Sequence, residues 1–250
     1  MQCVLTRAPI CPSCPTGGGT RTDPALAGTP LFRDLAAGTL AVLSQRARVR
    51  HLAKGEYLRP QGAALEELLV VVRGTMLLTV PLASGAPKVV GIMAKGEVFG
   101  ALDLFGPVPG MLAAVAEREA CILCIPKAAV LAALGSDHRF AVGLVEVLSE
   151  HIHCLARDIR TACTRGAVER IAAWLLDRAE LRAGREVVAL PASKTVVARL
   201  LGMTAESFSR ALRRLKDAGV IEVVRHTITI TDPGRLAALA GQDGYPPWLN

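Results

Sequence analysis

The sequence predicts an α+β chain in two units: a roll or sandwich of short strands, then a helix-turn-helix closed by a strand hairpin, with one long helix between them. Three observations carry this. Short β-rich runs separated by glycines fill Val49–Pro126. Leu144, Leu148, Ile152, Leu155 and Ile159 advance by 4, 4, 3 and 4, which draws one apolar stripe along a helix. Two short helix patterns then flank Gly202-Met203-Thr204, ahead of a hairpin around Arg225-His226.

Composition sets the outer bounds. At roughly 150 residues per domain, 250 residues make one large domain or two modest ones. A chain 51% hydrophobic and only 20% charged is not intrinsically disordered. No uncharged stretch reaches the roughly 18 residues of a membrane span, and no basic region followed by an apolar run marks a secretory signal. Seven cysteines without such a signal point to reduced thiols in a cytoplasm, some of them available to a metal. The formal charge is +7, and its excess is uneven. Lys194–Arg225 carries seven basic against three acidic residues, so a polyanion is the expected partner of the C-terminal part.

In chain order, residues 1–29 hold Cys3, Cys11, Cys14, four prolines and Gly17-Gly18-Gly19, a composition that predicts a flexible segment without regular structure. A helix follows at about Phe32–Arg46. The strand unit, taken as residues 30–126, has runs at Tyr57-Leu58, Leu68–Val72, Met76–Val80, Lys88–Met93, Ala113–Ala116 and Ala120–Ile125. Residues 127–163 read as helical, with the stripe from Leu144 to Ile159 suited to a coiled-coil seam between two subunits or to packing on the strand unit. Residues 164–250 open with a helix over Ala167–Leu181 and a strand over Val187–Leu190.

Ser193 and Thr204 are N-cap residues for the two short helices Ser193–Leu201 and Ala205–Ala218. Gly202 fits the tight turn between them and Gly219 the stop beyond the second. On the second helix Phe208, Ala211, Leu212 and Leu215 form an apolar back, and Glu206, Ser209, Arg210 and Arg213 a polar front. Such a front suits the major groove, where Arg pairs with a guanine edge and Glu accepts from a cytosine amino group. Lys194, Thr195 and Arg199 are placed for phosphates, and Thr204 and Ser207 are further DNA-binding candidates. An ordinary helical hairpin with a solvated basic face is the plainer alternative.

These residues resemble the CRP/FNR family, the cyclic-AMP receptor and the fumarate–nitrate reduction regulators, over about Pro30 to Leu239. The resemblance rests on Lys54-Gly55-Glu56, Gln61-Gly62, Arg73-Gly74 and Gly96-Glu97-Val98-Phe99-Gly100, and on Leu200 to Arg210. It implies a β-roll sensor of the cyclic-nucleotide-binding type, a long dimerisation helix and a C-terminal winged helix-turn-helix. It implies further a bacterial transcription regulator, not an enzyme, that acts as a homodimer on a double-stranded inverted-repeat operator together with RNA polymerase. Glu206, Ser209 and Arg210 are similar to the reading set of the FNR branch, whose half-sites are of the TTGAT kind. Cyclic-AMP binders place a Glu and an Arg-Ser pair where this chain has Ala101 and Met111-Leu112. A cyclic phosphate would then enter an apolar site without a countercharge, so a cyclic nucleotide is not expected.

Regulators of the FNR type hold a [4Fe–4S] cluster on several N-terminal cysteines and one at the end of the β-roll, and four thiolates are what such a cluster needs. The resemblance thus implies Cys3, Cys11, Cys14 and Cys121 as metal ligands, in an oxygen, nitric oxide or redox sensor. The C-x7-C-x2-C order departs from the family's, and its distant ligand falls at Leu123, between Cys121 and Cys124. Cys121 shares strand parity with Leu123 and is preferred, with Cys124 the alternative. Two other readings stay open: Cys121 and Cys124 as core hydrophobes beside a thiol switch, and a haem-based nitric oxide sensor with a histidine ligand. His151 and His153 point about 200° apart on a helix, which suits surface or interface residues. A cupin-like metal enzyme is a distant alternative, since the five histidines form no cluster within the strand unit.

Overall fold

The computed structural model describes residues 23–59, 66–82, 85–105, 112–164 and 166–241, in two compact units that divide between Ile152 and His153. Cys3, Cys11, Cys14 and Met111 lie outside the described residues.

The first unit begins with α1 (Asp23–Ala27), a 3-10 turn at Pro30–Phe32 and α2 (Ala37–Arg46). The helix expected from Phe32 to Arg46 is therefore interrupted, and α1 corrects the expectation of no regular structure through residue 29. Eight strands follow: β1 (Arg48–Leu52), β2 (Tyr57–Arg59), β3 (Glu67–Arg73), β4 (Met76–Leu82), β5 (Gly85–Met93), β6 (Val98–Phe99), β7 (Ala113–Ala116) and β8 (Ala120–Pro126), with a short α3 (Ala101–Phe105) before β7. They form two antiparallel four-stranded sheets, in the orders β1-β8-β3-β6 and β2-β7-β4-β5.

Strand alternation explains how β8, buried on both faces, serves two cores. Ala120, Ile122 and Cys124 turn between the sheets to meet Leu52, Leu58, Leu69, Val71, Met76 and Phe99. Leu123 and Ile125 turn outward, where Leu26, Leu31, Phe32, Leu43, Val130 and Phe140 cover the first sheet. The β3–β4 connection needs Gly74. Its φ is +87°, and a Cβ there would collide with the Glu119 carbonyl and lie 2.7 Å from Ala120 Cα.

The helical run after β8 is broken. α4 (Lys127–Ser136) ends at Asp137, and α5 (His138–Thr164) leaves at 118° to it. No single described helix is long and apolar enough to cross a membrane. The break is held from a distance in sequence. Asp137 Oδ2 accepts the Ala36 N–H (3.1 Å) and Oδ1 the Arg139 N–H (3.0 Å), so one carboxylate serves the starts of α2 and α5 together. The Ala36 N–H first, then the Thr39 hydroxyl and the Arg139 and Phe140 N–H groups, hold this carboxyl below the usual range, against the opposing effect of burial. Around it Arg139 Nη1 donates to the Asp34 carbonyl (3.1 Å), Phe32 stacks on Phe140 at 5.9 Å, and a Cβ on Gly143 would lie 3.0 Å from Leu31 Cδ1.

In the second unit α6 (Ala167–Asp177) precedes β9 (Glu180–Arg182) and β10 (Arg185–Ala189). The helix expected to reach Leu181 stops early, and the exposed β9 takes its last residues. α7 (Lys194–Leu200), α8 (Ala205–Asp217), β11 (Ile221–Val224), β12 (Thr227–Ile230) and α9 (Pro233–Leu239) complete the unit, with the antiparallel sheet order β11-β12-β10-β9. Ile171, Leu175, Val197, Phe208, Ile228 and Leu236 are its fully buried centre.

Candidate DNA interface

α7 and α8 form the helix-turn-helix. Each starts on a side chain: Ser193 Oγ accepts the Val196 N–H (3.4 Å) and Thr204 Oγ1 the Ser207 N–H (3.1 Å). Between them the Gly202 N–H bonds to the Arg199 carbonyl (3.2 Å) and the Met203 N–H to that of Ala198 (3.0 Å), the two-bond closure that a left-handed glycine (φ +66°) permits.

α8 is strictly two-sided. Phe208, Ala211, Leu212 and Leu215 are buried, while Glu206, Ser209, Arg210 and Arg213 are exposed. On the exposed face Arg210 lies 3.3 Å from Glu206 and donates to Ser207 Oγ (3.5 Å), which also receives the Thr204 hydroxyl (3.0 Å). Both ends of the Glu206–Arg210 pair are largely solvated, so the pair holds little energy of its own and can exchange partners for base edges. Of the remaining positions, Lys194, Thr195 and Thr204 are exposed, and Arg199 and Ser207 are half-buried. The wing tip places Arg225 at φ +52°, uncommon for a residue with a side chain.

Residues 169–239 match the Crp-like helix-turn-helix domain, and residues 49–137 the cyclic nucleotide-binding domain. The chain belongs to the CRP/FNR family of transcriptional regulators. Among relatives of this family, the nitrogen fixation regulation protein FixK of Bradyrhizobium diazoefficiens is 26% identical over 232 residues, 88% of this chain and 93% of that protein. The fumarate and nitrate reduction regulatory protein of Salmonella typhi is 25% identical over 198 residues, 78% of this chain and 79% of that protein. The structure of FixK2 from Bradyrhizobium japonicum has the same fold, with a TM-score of 0.67 at 24% identity over 80% of this chain and 98% of that one. A putative cyclic nucleotide binding protein from Ruegeria pomeroyi matches with a TM-score of 0.55 at 26% identity, over 89% and 98% of the two chains. The expected β-roll and helix-turn-helix are thus those of a CRP/FNR-type regulator.

Of the positions that cyclic-nucleotide binders give to polar partners, Ala101 is buried on α3 and Leu112 is half-buried, and apolar side chains lie between the sheets. For metal, no group of three or more His, Cys, Asp or Glu comes together among the described residues. The two β-roll cysteines face opposite ways. Cys124 is in the core between the sheets, and its thiol is pushed up to about 12 by burial first and by Glu67 second, against Arg50 and Arg48. Cys121, by alternation along β8, shares the outward face with Leu123 and Ile125, the side on which α1 and the 3-10 turn lie. Like Cys124 it is buried.

The apolar stripe expected on α5 is also redrawn. Leu144 belongs to the core of the first unit, next to Phe140, and is buried. Leu148 is half-buried, Ile152 and Leu155 are exposed, and the Ile159 side chain lies outside the description. The residue missed by sequence reasoning is Val145, 61% exposed. Val145, Leu148, Ile152, Leu155 and Ile159 advance by 3, 4, 3 and 4, a more regular stripe than the one drawn through Leu144. His151 is half-buried and His153 exposed; burial lowers the His151 pKa, with Glu150 opposing.

Proposed function

We propose that this regulator works as a homodimer that reads an FNR-like inverted repeat through Glu206, Ser209 and Arg210 of each α8. The observation that carries the reading is the exposed front of α8, in which Arg210 is held ready by Glu206 and Ser207 opposite a fully buried Phe208. Arg210 offers paired donors to a guanine edge and Glu206 an acceptor to a cytosine amino group. Lys194, Thr195, Arg199, Thr204, Ser207 and Arg213 fix register on phosphates. Val145, Leu148, Ile152, Leu155 and Ile159 join the subunits, and their two-fold axis is mirrored in the operator. RNA polymerase is the partner through which bound regulator acts, in a bacterial cytoplasm.

Arg210→Ala should weaken the specific duplex by roughly 1–3 kcal/mol in a fluorescence anisotropy titration while sparing random DNA. Equal losses on both would reduce Arg210 to a phosphate contact and remove the reading.

For the signal, the proposed ligand set is Cys3, Cys11, Cys14 and Cys121, and a [4Fe–4S] group there would supply a centre that oxygen or nitric oxide attacks. The support in the described residues is that buried Cys121 shares the strand face of Leu123 and Ile125, on the side of α1, whereas Cys124 lies between the sheets. Anaerobic purification tests it: iron and labile sulfide near four per subunit, lost in Cys121→Ser and retained in Cys124→Ala, is the expected outcome. A Soret band would replace the cluster with haem. Colourless protein with unchanged operator binding would leave a thiol switch.

A further inference from the structure

Both helices of the helix-turn-helix end alike, and in both the carbonyl just before the glycine is left by the closing N–H groups. At α7 the Gly202 and Met203 N–H groups take the carbonyls of Arg199 and Ala198. At α8 the Gly219 N–H takes that of Lys216 (2.9 Å) and the Val220 N–H that of Leu215 (3.2 Å), with Gly219 at φ +71°. This closure satisfies the inner carbonyls but not that of the residue just before the glycine, Leu201 in one case and Ala218 in the other. Each is met by an arginine from a neighbouring helix. Arg170 Nη1 on α6 donates to the Leu201 carbonyl (3.2 Å), and Arg235 Nη1 on α9 to the Ala218 carbonyl (3.0 Å). Both bonds are charge-assisted and put a cation at the negative end of a helix.

The two differ in place. Arg170 is half-buried, and the Cβ that Gly202 lacks would lie 3.7 Å from its Nη1, so the guanidinium rests against the turn itself. Its Nε is buried without an acceptor among the described residues, a desolvation accepted in exchange for the carbonyl contact. The turn it holds leads within three residues to Ala205, the first residue of α8, and so to Glu206, Ser209 and Arg210. Arg235 holds the far end of α8, beyond the reading residues.

We propose that Arg170 is a positioning residue for DNA reading: by holding the Leu201 carbonyl it fixes the angle at which α8 leaves α7. Base-edge contacts then meet the major groove in register with the phosphate contacts of Lys194 and Thr195. This rests on α8 being the recognition helix. Paired hydrogen bonds to a base edge tolerate displacements of only about 0.5 Å, whereas phosphate attraction tolerates far more. Loosening the turn therefore takes sequence preference before it takes general affinity.

The test uses the 250-residue chain with Arg170→Met, Arg170→Lys and Arg235→Met, and a duplex that the unaltered protein selects from a random pool. Arg170→Met should lose about tenfold on the selected duplex and less than about twofold on random DNA, with most of the loss restored in Arg170→Lys. Arg235→Met should lose less than about threefold on both. Calorimetry checks that all three variants fold. Equal loss on both duplexes, no loss, or identical behaviour of Arg170→Met and Arg235→Met overturns the proposal. If the unaltered protein selects no sequence, the recognition-helix reading falls separately. Amide exchange then decides the role of Arg170: faster exchange confined to Gly202 and Met203 in Arg170→Met retains the positioning, and unchanged exchange there refutes it.

Discussion

The helix-turn-helix unit (the proposed reader) and the β-roll unit (the proposed sensor) start several of their helices in different ways. In the reader, α7, α8 and α9 each begin on a side chain three residues before the N–H it accepts: Ser193, Thr204 and Asp232, the last accepting the Arg235 N–H at 2.9 Å. In the sensor, α2 and α4 begin at Ala36 and Pro126, which have no side-chain cap, and the N–H of Ala36 is met by Asp137, 101 residues away. Three helix starts of the second unit lie within a single turn of sequence, α6 at Gly166 being uncapped by a side chain. In the first unit Asp137 caps α5 locally, but the same carboxylate reaches the start of α2 only after folding. Local capping makes an element legible and insensitive to its surroundings; a tertiary cap makes it conditional on them.

The largest expected effect comes from a matched pair of core deletions. Phe208→Ala and Phe140→Ala each remove a fully buried ring, at about 3–5 kcal/mol. Calorimetry should show Phe208→Ala lowering only the reader's transition and Phe140→Ala only the sensor's. If either variant lowers both transitions together, the two units are one cooperative body and the contrast collapses.

Next is Asp137→Asn, which keeps the shape and removes the charge. Because the folded-state pKa is depressed, this carboxylate stabilises the sensor above its ordinary pKa, near 4, and the contribution is lost as pH falls through the lower folded value. The sensor's melting temperature should therefore fall less steeply with acid in Asp137→Asn than in the unaltered chain, with the reader's profile unchanged. Coincident acid profiles would show that the tertiary cap is not ionised in the folded state. Thr204→Ala follows, at about 0.5–2 kcal/mol on the reader alone. Smallest is Gly143→Ala, where the added methyl meets the flexible end of Leu31: within about 1 kcal/mol on the sensor, and none on the reader.

The same contrast explains what could be read in the sequence. The reader's two short helices, its glycine turn and its hairpin follow from Ser193, Gly202, Thr204 and the spacing of Phe208, Ala211, Leu212 and Leu215, all local signals. The break at Asp137 has a local signal in Gly135-Ser136-Asp137, a stop followed by an N-cap residue, but its second partner, the Ala36 N–H, has none. Leu144 was drawn into the stripe because leucine outranks its neighbour valine in apolarity. The first turns of α5 also cover the sensor core, however, and only that packing tells Leu144 from Val145. β1 was missed because its arginines at positions 48 and 50 face solvent on a sheet edge, and β9 because all of its residues are exposed. Arg170 and Arg235 gave no sign at all, since a carbonyl left over by a turn is invisible until the turn exists.

Cys124 gives the sensor a concealed clock. Its sulfur is enclosed between two sheets on a strand paired on both edges, and it holds its proton to about pH 12. An alkylating reagent at neutral pH meets neither an accessible nor an ionised group until β8 separates from its neighbours. The rate at which Cys124 is modified, in a chain whose other cysteines are replaced by serine or alanine, therefore counts openings of the β-roll. Compared with and without operator DNA, that rate reads whether occupancy of the reader is felt in the middle of the sensor.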